Sequence, residues 1–304
     1  MPQNLEDSGF AVIDIGSNSV RMVIYDTSHA KPVQIFNEKV YCALGRDLST
    51  TGKLNPQGVI SANKAIRGYH LIAEAQSVKH IVAVGTAALR DASDGRDFIH
   101  SVQDQAGLSI RILSGDEEAF YAAAGVMALD PNADGVVADF GGGSLELARV
   151  SGHDVHQKIS LPLGAFRVRA MEGDRQAVDD RIREVLAPVQ ADFSRLRSLY
   201  GIGGSWRALA QAHMIETDIS REIQGYAIPS SRFIGFCEDI EQMTIEDLRS
   251  QYHLEEHKAR LAGVSAQVLR VVLDVLEPQI FVTSSAGVRD GLVHEFLSSK
   301  AKEA

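Results

Sequence analysis

The clearest hydrophobic pattern in the chain is an apolar strand, a short glycine turn and a second alternating strand, and it occurs twice. The first copy covers residues 10–26 (FAVIDIGSNSVRMVIYD) and the second covers residues 135–150 (GVVADFGGGSLELARV). Apolar positions alternate with polar ones after each turn, which predicts a strand with one buried face. Either copy alone could be an ordinary β-hairpin. Two aligned copies instead predict two related domains that face a common cleft.

The turns of the two copies offer chemistry that suits phosphate. The aligned residues are Asp14 with Asp139, Gly16 with Gly141, and Ser19 with Ser144. Successive backbone N–H groups in a glycine turn form a concavity that fits phosphate oxygens. Asp139 enters the second turn as a carboxylate that could hold a hydrated Mg²⁺ or a water, and Glu146 leaves the same turn.

The rest of the pattern predicts further strands and helices. Strands are expected at 32–41, 80–85, 109–113, from 158 and at 279–283, and helices at 57–76, 115–129, 180–200, 206–212 and 261–276. The strand from residue 158 is expected to lead into a glycine-bearing turn that reaches residue 169. Turn-forming residues concentrate at 130–135 (DPNADG) and predict a boundary between domains 1–130 and 131–304. The last helix can pack back on the first domain.

A helix start at Thr86 supplies the first candidate outside the glycine turns. Thr86 follows the strand 80–85 and is a good N-cap residue, so free N–H groups point towards an anion there. Arg90 lies one helical turn later on the same face and could fork onto phosphate oxygens. The alternative is a surface arginine that pairs with Asp91 or Asp94.

Two neighbouring glutamates at the start of the next helix have different expected roles. Ser114 and Glu117 have the spacing of a capping box, so Glu117 has a structural task. Glu118 lies in the same first helical turn without that task. It either complements the helix dipole or acts as a base or water-orienting group at the edge of a cleft.

Two later motifs are ambiguous. Gly203 and Gly204, in the turn YGIGGS at 200–205, could face a phosphate or part of a nucleotide, although such turns also serve packing. His253 and His257 are four residues apart and are expected on one helical face. Their carboxylate neighbours do not fit the zinc arrangement HExxH, so surface or packing roles are expected.

Composition narrows the function classes. A chain of 304 residues is long enough for two domains, and its net charge of −10 disfavours nucleic acid as a partner. No apolar run reaches membrane-spanning length, and the first ten residues lack the basic start and apolar segment of a secretory signal. Cys42 and Cys237 stand far apart without a motif, which fits a reduced cytoplasm.

Seven motifs in order along almost the whole chain resemble the exopolyphosphatase / guanosine pentaphosphate phosphohydrolase (Ppx/GppA) family. They are DIGSNS at 14–19, VGTAALRDA at 84–92, SGDEEA at 114–119, DFGGGSLE at 139–146, LPLGAFR at 161–167, GIGGSWRALA at 201–210 and SSAGVRDGL at 284–292. The resemblance implies an α/β protein with the duplicated actin-like, sugar-kinase-like (ribonuclease H-like) fold and two domains around a central cleft. It also implies hydrolysis of a terminal phosphate with Mg²⁺ or another divalent cation.

The resemblance also implies roles for individual residues. The catalytic residues would be Glu118, as the base on the attacking water, with Arg90 and Asp139. The substrate-binding residues would be Ser17, Asn18, Ser19, Thr86, Gly141, Gly142, Gly143, Ser144, Arg167, Gly203, Gly204 and Ser205. The metal-binding residues would be Asp14, Asp139 and Glu146.

Three functions stay open on the sequence alone. The first is an exopolyphosphatase acting on short chains, favoured because the chain ends at Ala304 without the helical domains of longer family members. The second is a guanosine pentaphosphate (pppGpp) phosphohydrolase, and the third is an ATP-binding actin-like kinase or scaffold. The SGDEEA helix start and the SNS loop favour a phosphohydrolase. A cytoplasmic protein without nucleic-acid or membrane partners is expected, and a homodimer is compatible with the sequence.

Overall fold

The chain divides into two compact units in the computed structural model, which describes residues 5, 6, 8–29 and 31–303. The first unit holds the chain up to Glu118 and again from Leu292, and the second holds Ala119–Gly291. The first division thus precedes the boundary expected between residues 130 and 131. Within the first unit, the ring of Phe296 stacks on that of Phe10 at 4.2 Å between centroids.

The first unit is built around a mixed sheet. Its elements are β1 (Gly9–Ile15), β2 (Ser19–Asp26), β3 (Val33–Tyr41), α1 (Leu48–Thr51), α2 (Pro56–Ala75), β4 (His80–Gly85), α3 (Ala87–Asp91), α4 (Gly95–Ala106) and β5 (Ile110–Ile112), followed by α5 (Gly115–Leu129). The strand order among the described residues is β3-β2-β1-β4-β5. β1 is antiparallel to β2 and parallel to β4, and β4 is parallel to β5. Ile13 and Met22 from the sheet pack with Ile66 and Tyr69 of α2 in one apolar core.

The second unit repeats this plan and adds helices. Its elements are β6 (Gly135–Phe140), β7 (Leu145–Ser151), β8 (Asp154–Leu161), α6 (Ala165–Arg169), α7 (Arg175–Leu186), a 3-10 helix (Ala187–Val189), α8 (Gln190–Phe193), β9 (Ser198–Ile202), α9 (Gly204–Glu216), β10 (Ala227–Pro229), α10 (Ser230–Gln242), α11 (Ile245–Tyr252), α12 (Glu256–Leu276) and β11 (Ile280–Thr283). The last helix, α13 (Val288–Glu303), begins in the second unit and belongs to the first unit from Leu292. The strand order is β10-β11-β9-β6-β7-β8. Because β6 is antiparallel to β7 and parallel to β9, it matches β1 of the first unit. The prediction of two related glycine-turn hairpins is therefore confirmed.

Most predicted elements are present, but one long helix is not. The helix expected over residues 180–200 is wrong, because α7 ends at Leu186 and a 3-10 turn containing Pro188 follows it. Proline has no N–H with which to continue a helix. The buried residues Leu199, Tyr200 and Ile202 instead form β9, which lies between β6 and β11.

Two smaller expectations also change. The turn expected after the strand at 158 contains the short helix α6. His253 and His257 do not share a helical face, since His253 is the C-cap residue that follows α11, with a positive φ of 54°, and His257 lies in the first turn of α12. Among the described residues, no group of three or more His, Cys, Asp or Glu side chains is arranged to hold a metal ion. No described helix combines the length and the apolar character needed to cross a membrane.

A buried ion network joins three helices of the second unit. Arg270 of α12 donates to Asp179 of α7 at 2.6 Å and to Glu241 of α10 at 2.7 Å. Glu241 also pairs with Arg175 at 2.7 Å. Burial raises the pKa of Glu241, while its bonds to Arg270 lower it. The network therefore depends on Arg270 to balance two carboxylates that are almost inaccessible to water.

Candidate active site

The β1–β2 turn of the first unit is held by hydrogen bonds on both sides. The Gly16 N–H donates to the Ser19 carbonyl at 3.0 Å, which closes the turn. The Ser17 carbonyl accepts from Gly45 N–H at 2.8 Å, and the Asn18 carbonyl accepts from the N–H groups of residues 42 and 43 at 3.0 and 2.9 Å. Because its carbonyls are occupied by the 42–45 segment, the turn has a fixed backbone conformation.

The β6–β7 turn of the second unit is closed in the same way. The Gly141 N–H donates to the Ser144 carbonyl at 3.0 Å. The carbonyls of Gly141 and Gly142 accept from the first N–H groups of α6, at 3.0 and 2.8 Å. Since the Gly141 N–H is used inside the turn, phosphate binding here would depend on the N–H groups of Gly142 and Gly143. Of the three glycines named as substrate-binding residues, Gly141 therefore has its N–H engaged within the turn.

Helix α6 approaches this turn very closely. A Cβ atom on Gly164 would lie 2.2 Å from the backbone of the glycine turn, so only glycine fits at the start of α6. Arg167 lies in the same short helix and is partly exposed. The predicted substrate residue Arg167 therefore belongs to a segment that is hydrogen-bonded directly to the GGGS turn.

Three parallel strands of the first unit end side by side. Thr86, after β4, donates its N–H to the Ile15 carbonyl at 3.2 Å, and Leu113, after β5, donates to the Gly85 carbonyl at 2.9 Å. Open α/β sheets bind ligands at this carboxyl edge. Thr86 occupies the N-cap position of α3 as predicted, but its side chain makes no capping hydrogen bond, and α3 has only five residues.

Arg90 and Glu118 are joined at this edge. The Arg90 Nη1 atom donates to Oε1 of Glu118 and also to the Leu113 carbonyl at 2.9 Å. Its Nε atom lies 3.4 Å from Asp91 Oδ1, whereas Asp94 accepts instead from the Leu54 N–H. Glu118 is only 5% exposed. The guanidinium thus compensates a carboxylate that would be costly to bury alone.

The neighbouring Glu117 serves the helix end, as predicted. Its Oε2 atom accepts from the Ser114 N–H at 2.8 Å and from the Ser114 hydroxyl at 2.9 Å. The Ser114 hydroxyl accepts in turn from the Glu117 N–H at 3.2 Å. These bonds from Ser114 lower the pKa of Glu117. The capping box is confirmed, and the two adjacent glutamates occupy different environments.

Small residues also follow the carboxyl ends of strands β9 and β11 in the second sheet. Gly203, after β9, has a φ of 103°, and a Cβ there would lie 2.5 Å from the Phe140 carbonyl and 3.6 Å from Oδ1 of Asp139. Glycine is therefore required where this turn meets the end of β6. Gly204 and Ser205 begin α9, and Ser284, after β11, donates its N–H to the Gly201 carbonyl at 3.0 Å.

Asp139 and Glu146 could hold a metal ion together. They lie directly opposite each other in the β6–β7 ladder, so their side chains share one face of the sheet. The Ser160 hydroxyl donates to Glu146 Oε1 at 2.6 Å. Mg²⁺ commonly binds to one or two carboxylates together with substrate phosphates and waters, so this pair fits the ion. Asp14 holds the matching position in the first unit, where it lies opposite Arg21.

The sequence did not predict two features of the site. One is the pairing of Arg90 with Glu118, and the other is the hydrogen bond from Ser160 to Glu146. An open cavity of about 650 Å³ in the second unit, lined by Met214, Ile219, Tyr252, Leu254 and other residues, includes none of the predicted site residues. This cavity is therefore separate from the candidate site residues of the second unit.

The repeated sheet, with a glycine turn after the central strand of each unit, places the protein in the duplicated actin-like class of α/β folds. Residues 6–300 match the Ppx/GppA phosphatase family, and the chain belongs to that family.

Comparison with individual proteins agrees with this assignment. The chain is 29% identical over 217 residues to a bifunctional 3-dehydroquinate synthase/phosphatase of Fusobacterium nucleatum, covering 64% of this chain and 32% of that protein. It is 28% identical over 160 residues to Exopolyphosphatase 1 of Mycobacterium tuberculosis, covering 52% of this chain and 46% of that protein. The chain thus spans less than half the length of these curated relatives.

A solved structure confirms the fold. The crystal structure of an exopolyphosphatase from Cytophaga hutchinsonii matches with a TM-score of 0.88 and 22% identity, covering 96% of this chain and 98% of that one. At this level of identity the likeness concerns the fold, which is the one that the sequence motifs implied.

Proposed function

We propose that the protein is an exopolyphosphatase that releases the terminal phosphate of inorganic polyphosphate, with Glu118 directing the attacking water. The observation that carries this proposal is the buried Glu118 carboxylate, which Arg90 holds at the carboxyl edge of three parallel strands. A capping role does not explain Glu118, because Glu117 performs that role. Relatives that are named exopolyphosphatases support the choice of substrate.

The Glu118 carboxylate is suited to orient a water. A carboxylate has two oxygens with about four lone-pair sites, so it can accept from Arg90 and from a water together. The water oxygen bonds to the terminal phosphorus as the bridging P–O bond breaks, and the shortened polymer keeps the bridging oxygen. Glu118 accepts the proton that the water loses. Because the transition state is loose, positioning and charge stabilisation contribute most to the rate.

Each glycine turn by itself offers backbone N–H donors that suit phosphate oxygens. In the second unit these are the N–H groups of Gly142 and Gly143, and in the first unit those of residues 17–19, whose backbone conformation the 42–45 segment fixes. Asp139 and Glu146 would hold Mg²⁺ or another divalent cation, which would neutralise charge on the phosphate oxygens.

A substrate comparison tests the proposal. The purified chain is incubated with short polyphosphate, pppGpp and ATP in the presence of Mg²⁺, and released phosphate is measured. We expect the highest kcat/KM with polyphosphate. A clear preference for pppGpp would assign the site to the alternative phosphohydrolase reaction. Tight ATP binding without phosphate release from polyphosphate would contradict the proposal and favour the kinase or scaffold alternative.

Substitution of Arg90 tests its contact with Glu118. Arg90→Ala is expected to raise KM and to lower kcat by about 10–100-fold, the equivalent of about 1.5–3 kcal/mol for a hydrogen bond to a charged group. The physical reason is that Glu118 loses its partner and the substrate loses a cation. Steady-state kinetics on short polyphosphate check this prediction.

The matched variants are Arg90→Lys and Arg96→Ala. Lysine keeps the charge but not the planar fork, so partial recovery is expected. Arg96 is an exposed arginine of α4, and its removal is expected to leave the kinetics unchanged. Unchanged kinetics in Arg90→Ala would contradict a role in catalysis and would favour the alternative, in which Arg90 is a surface arginine.

A further inference from the structure

The two candidate metal carboxylates belong to a row of polar side chains that crosses three strands. Glu146 of β7 lies directly opposite Asp139 of β6 and directly opposite Ser160 of β8. Residues in direct register share one face of an antiparallel sheet, with Cβ atoms about 4.5–5.5 Å apart. The row stands at the end of the sheet that leads into the GGGS turn.

The neighbours of Glu146 along its own strand are apolar. Along β7, Ala148 and Val150 point to the same face as Glu146 and are fully buried in an apolar cluster. Glu146 is itself only 4% exposed. A carboxylate at such a position is costly unless hydrogen bonds compensate its charge.

The Ser160 hydroxyl provides such a hydrogen bond. Its Oγ atom donates to Oε1 of Glu146 at 2.6 Å, a length typical of a hydroxyl bound to an ionised oxygen. The bond restricts rotation of the carboxylate and keeps Oε1 on the β8 side. Ser160 is partly exposed, so its hydroxyl could hydrogen-bond to water and does not need Glu146 as a partner.

We propose that Ser160 is a positioning residue for divalent-cation binding by Asp139 and Glu146. Its hydroxyl fixes the Glu146 carboxylate in the orientation in which Glu146 and Asp139 share one ion. Ser160 itself is not a ligand. Partners that hydrogen-bond to a metal-binding carboxylate typically change metal affinity by about 10–100-fold when they are removed. The use of the ion in catalysis rests on the proposed function, but its binding can be measured without any substrate.

The test is a titration of the full chain with Mg²⁺, and separately with Mn²⁺, by calorimetry in the absence of polyphosphate. Ser160→Ala is expected to bind either ion about 10–100-fold more weakly than the unaltered chain. Ser160→Thr keeps the hydroxyl and is expected to retain most of the affinity. The control is Ser151→Ala, which removes a hydroxyl at the far end of β7, where it lies 3.3 Å from Nε2 of His156. This control is expected to bind as the unaltered chain does.

Three results would overturn the proposal. They are equal affinity in Ser160→Ala and the unaltered chain, equal loss in the Ala and Thr variants, and absence of ion binding by the unaltered chain. A different result is expected if the proposed exopolyphosphatase function is wrong but the role of Ser160 is right. Ser160→Ala would still weaken ion binding, but neither chain would release phosphate from polyphosphate.

Discussion

Replacement of Glu118 by Gln is expected to lower the rate of phosphate release from short polyphosphate by about 10²–10⁴-fold, the range for removal of a general base. Glutamine keeps the size of the side chain and an oxygen that can accept from Arg90. It cannot take a proton from the attacking water. The fold and the KM for polyphosphate are therefore expected to change little. Steady-state phosphate release and thermal unfolding, measured on the same preparation, check both parts.

Glu117→Gln is the matched control for this substitution. The two glutamates are adjacent in the first turn of α5, but Glu117 is bonded to Ser114 rather than to Arg90. Glutamine also forms a capping box, so helix stability is expected to persist. Near-normal turnover in Glu118→Gln would remove Glu118 from the catalytic role. A large loss in Glu117→Gln would show that the helix end matters more than the buried carboxylate.

Arg270→Leu is expected to lower the free energy of unfolding by about 3–5 kcal/mol, the cost of leaving a buried charge without its partner. Arg270 balances Asp179 and Glu241, and only the second of these also pairs with Arg175. A loss of this size is a large part of the ~5–15 kcal/mol that stabilises a typical domain. Urea or thermal unfolding measures the change.

The control lies on the same helix. Arg260 of α12 pairs with Glu256 one turn away, with both side chains exposed to solvent. Arg260→Leu is expected to change the free energy of unfolding by less than about 1 kcal/mol. Equal losses in the two variants would contradict the account of the buried network.

The loss in Arg270→Leu also has an expected pH dependence. Burial raises the pKa of Glu241, and Arg270 opposes that effect, so removal of Arg270 raises this pKa further. A carboxyl group with a raised pKa in the folded state gains protons more readily there than in the unfolded state, and stability increases as pH falls. The difference between the variant and the unaltered chain is therefore expected to be largest at neutral pH and to shrink on acidification.

The local parts of the fold were predictable from the sequence. The alternation of apolar and polar residues around Asp14 and Asp139 depends only on residues close together in the sequence. The same is true of the Ser114–Glu117 spacing. Each of these elements occurs where the pattern places it. The wrong prediction of one helix over residues 180–200 also came from a local pattern, because the apolar residues at the start of β9 fit a helical spacing. In the structure, Pro188 lies in a 3-10 turn that follows α7, and these apolar residues pair in the sheet.

The contacts that define the candidate site were not predictable. Arg90 and Glu118 are separated by 28 residues and meet only because β4 and β5 pair in parallel. The partner of Glu146 depends on the register of β7 and β8, which shifts at an irregularity between Ala148 and Val150. A shift of one residue would turn Ser160 to the other face of the sheet, and sequence patterns do not report such shifts.

The central claim is that Glu118 directs a water to the terminal phosphorus of polyphosphate. Its most direct test is hydrolysis in isotopically labelled water by the unaltered chain and by Glu118→Gln. The account predicts that the released phosphate carries one solvent oxygen and that the shortened polymer carries none. It also predicts that the variant forms this product at about a hundredth of the rate or less. Label in the polymer, or labelled phosphate released by the variant at the unaltered rate, would contradict it.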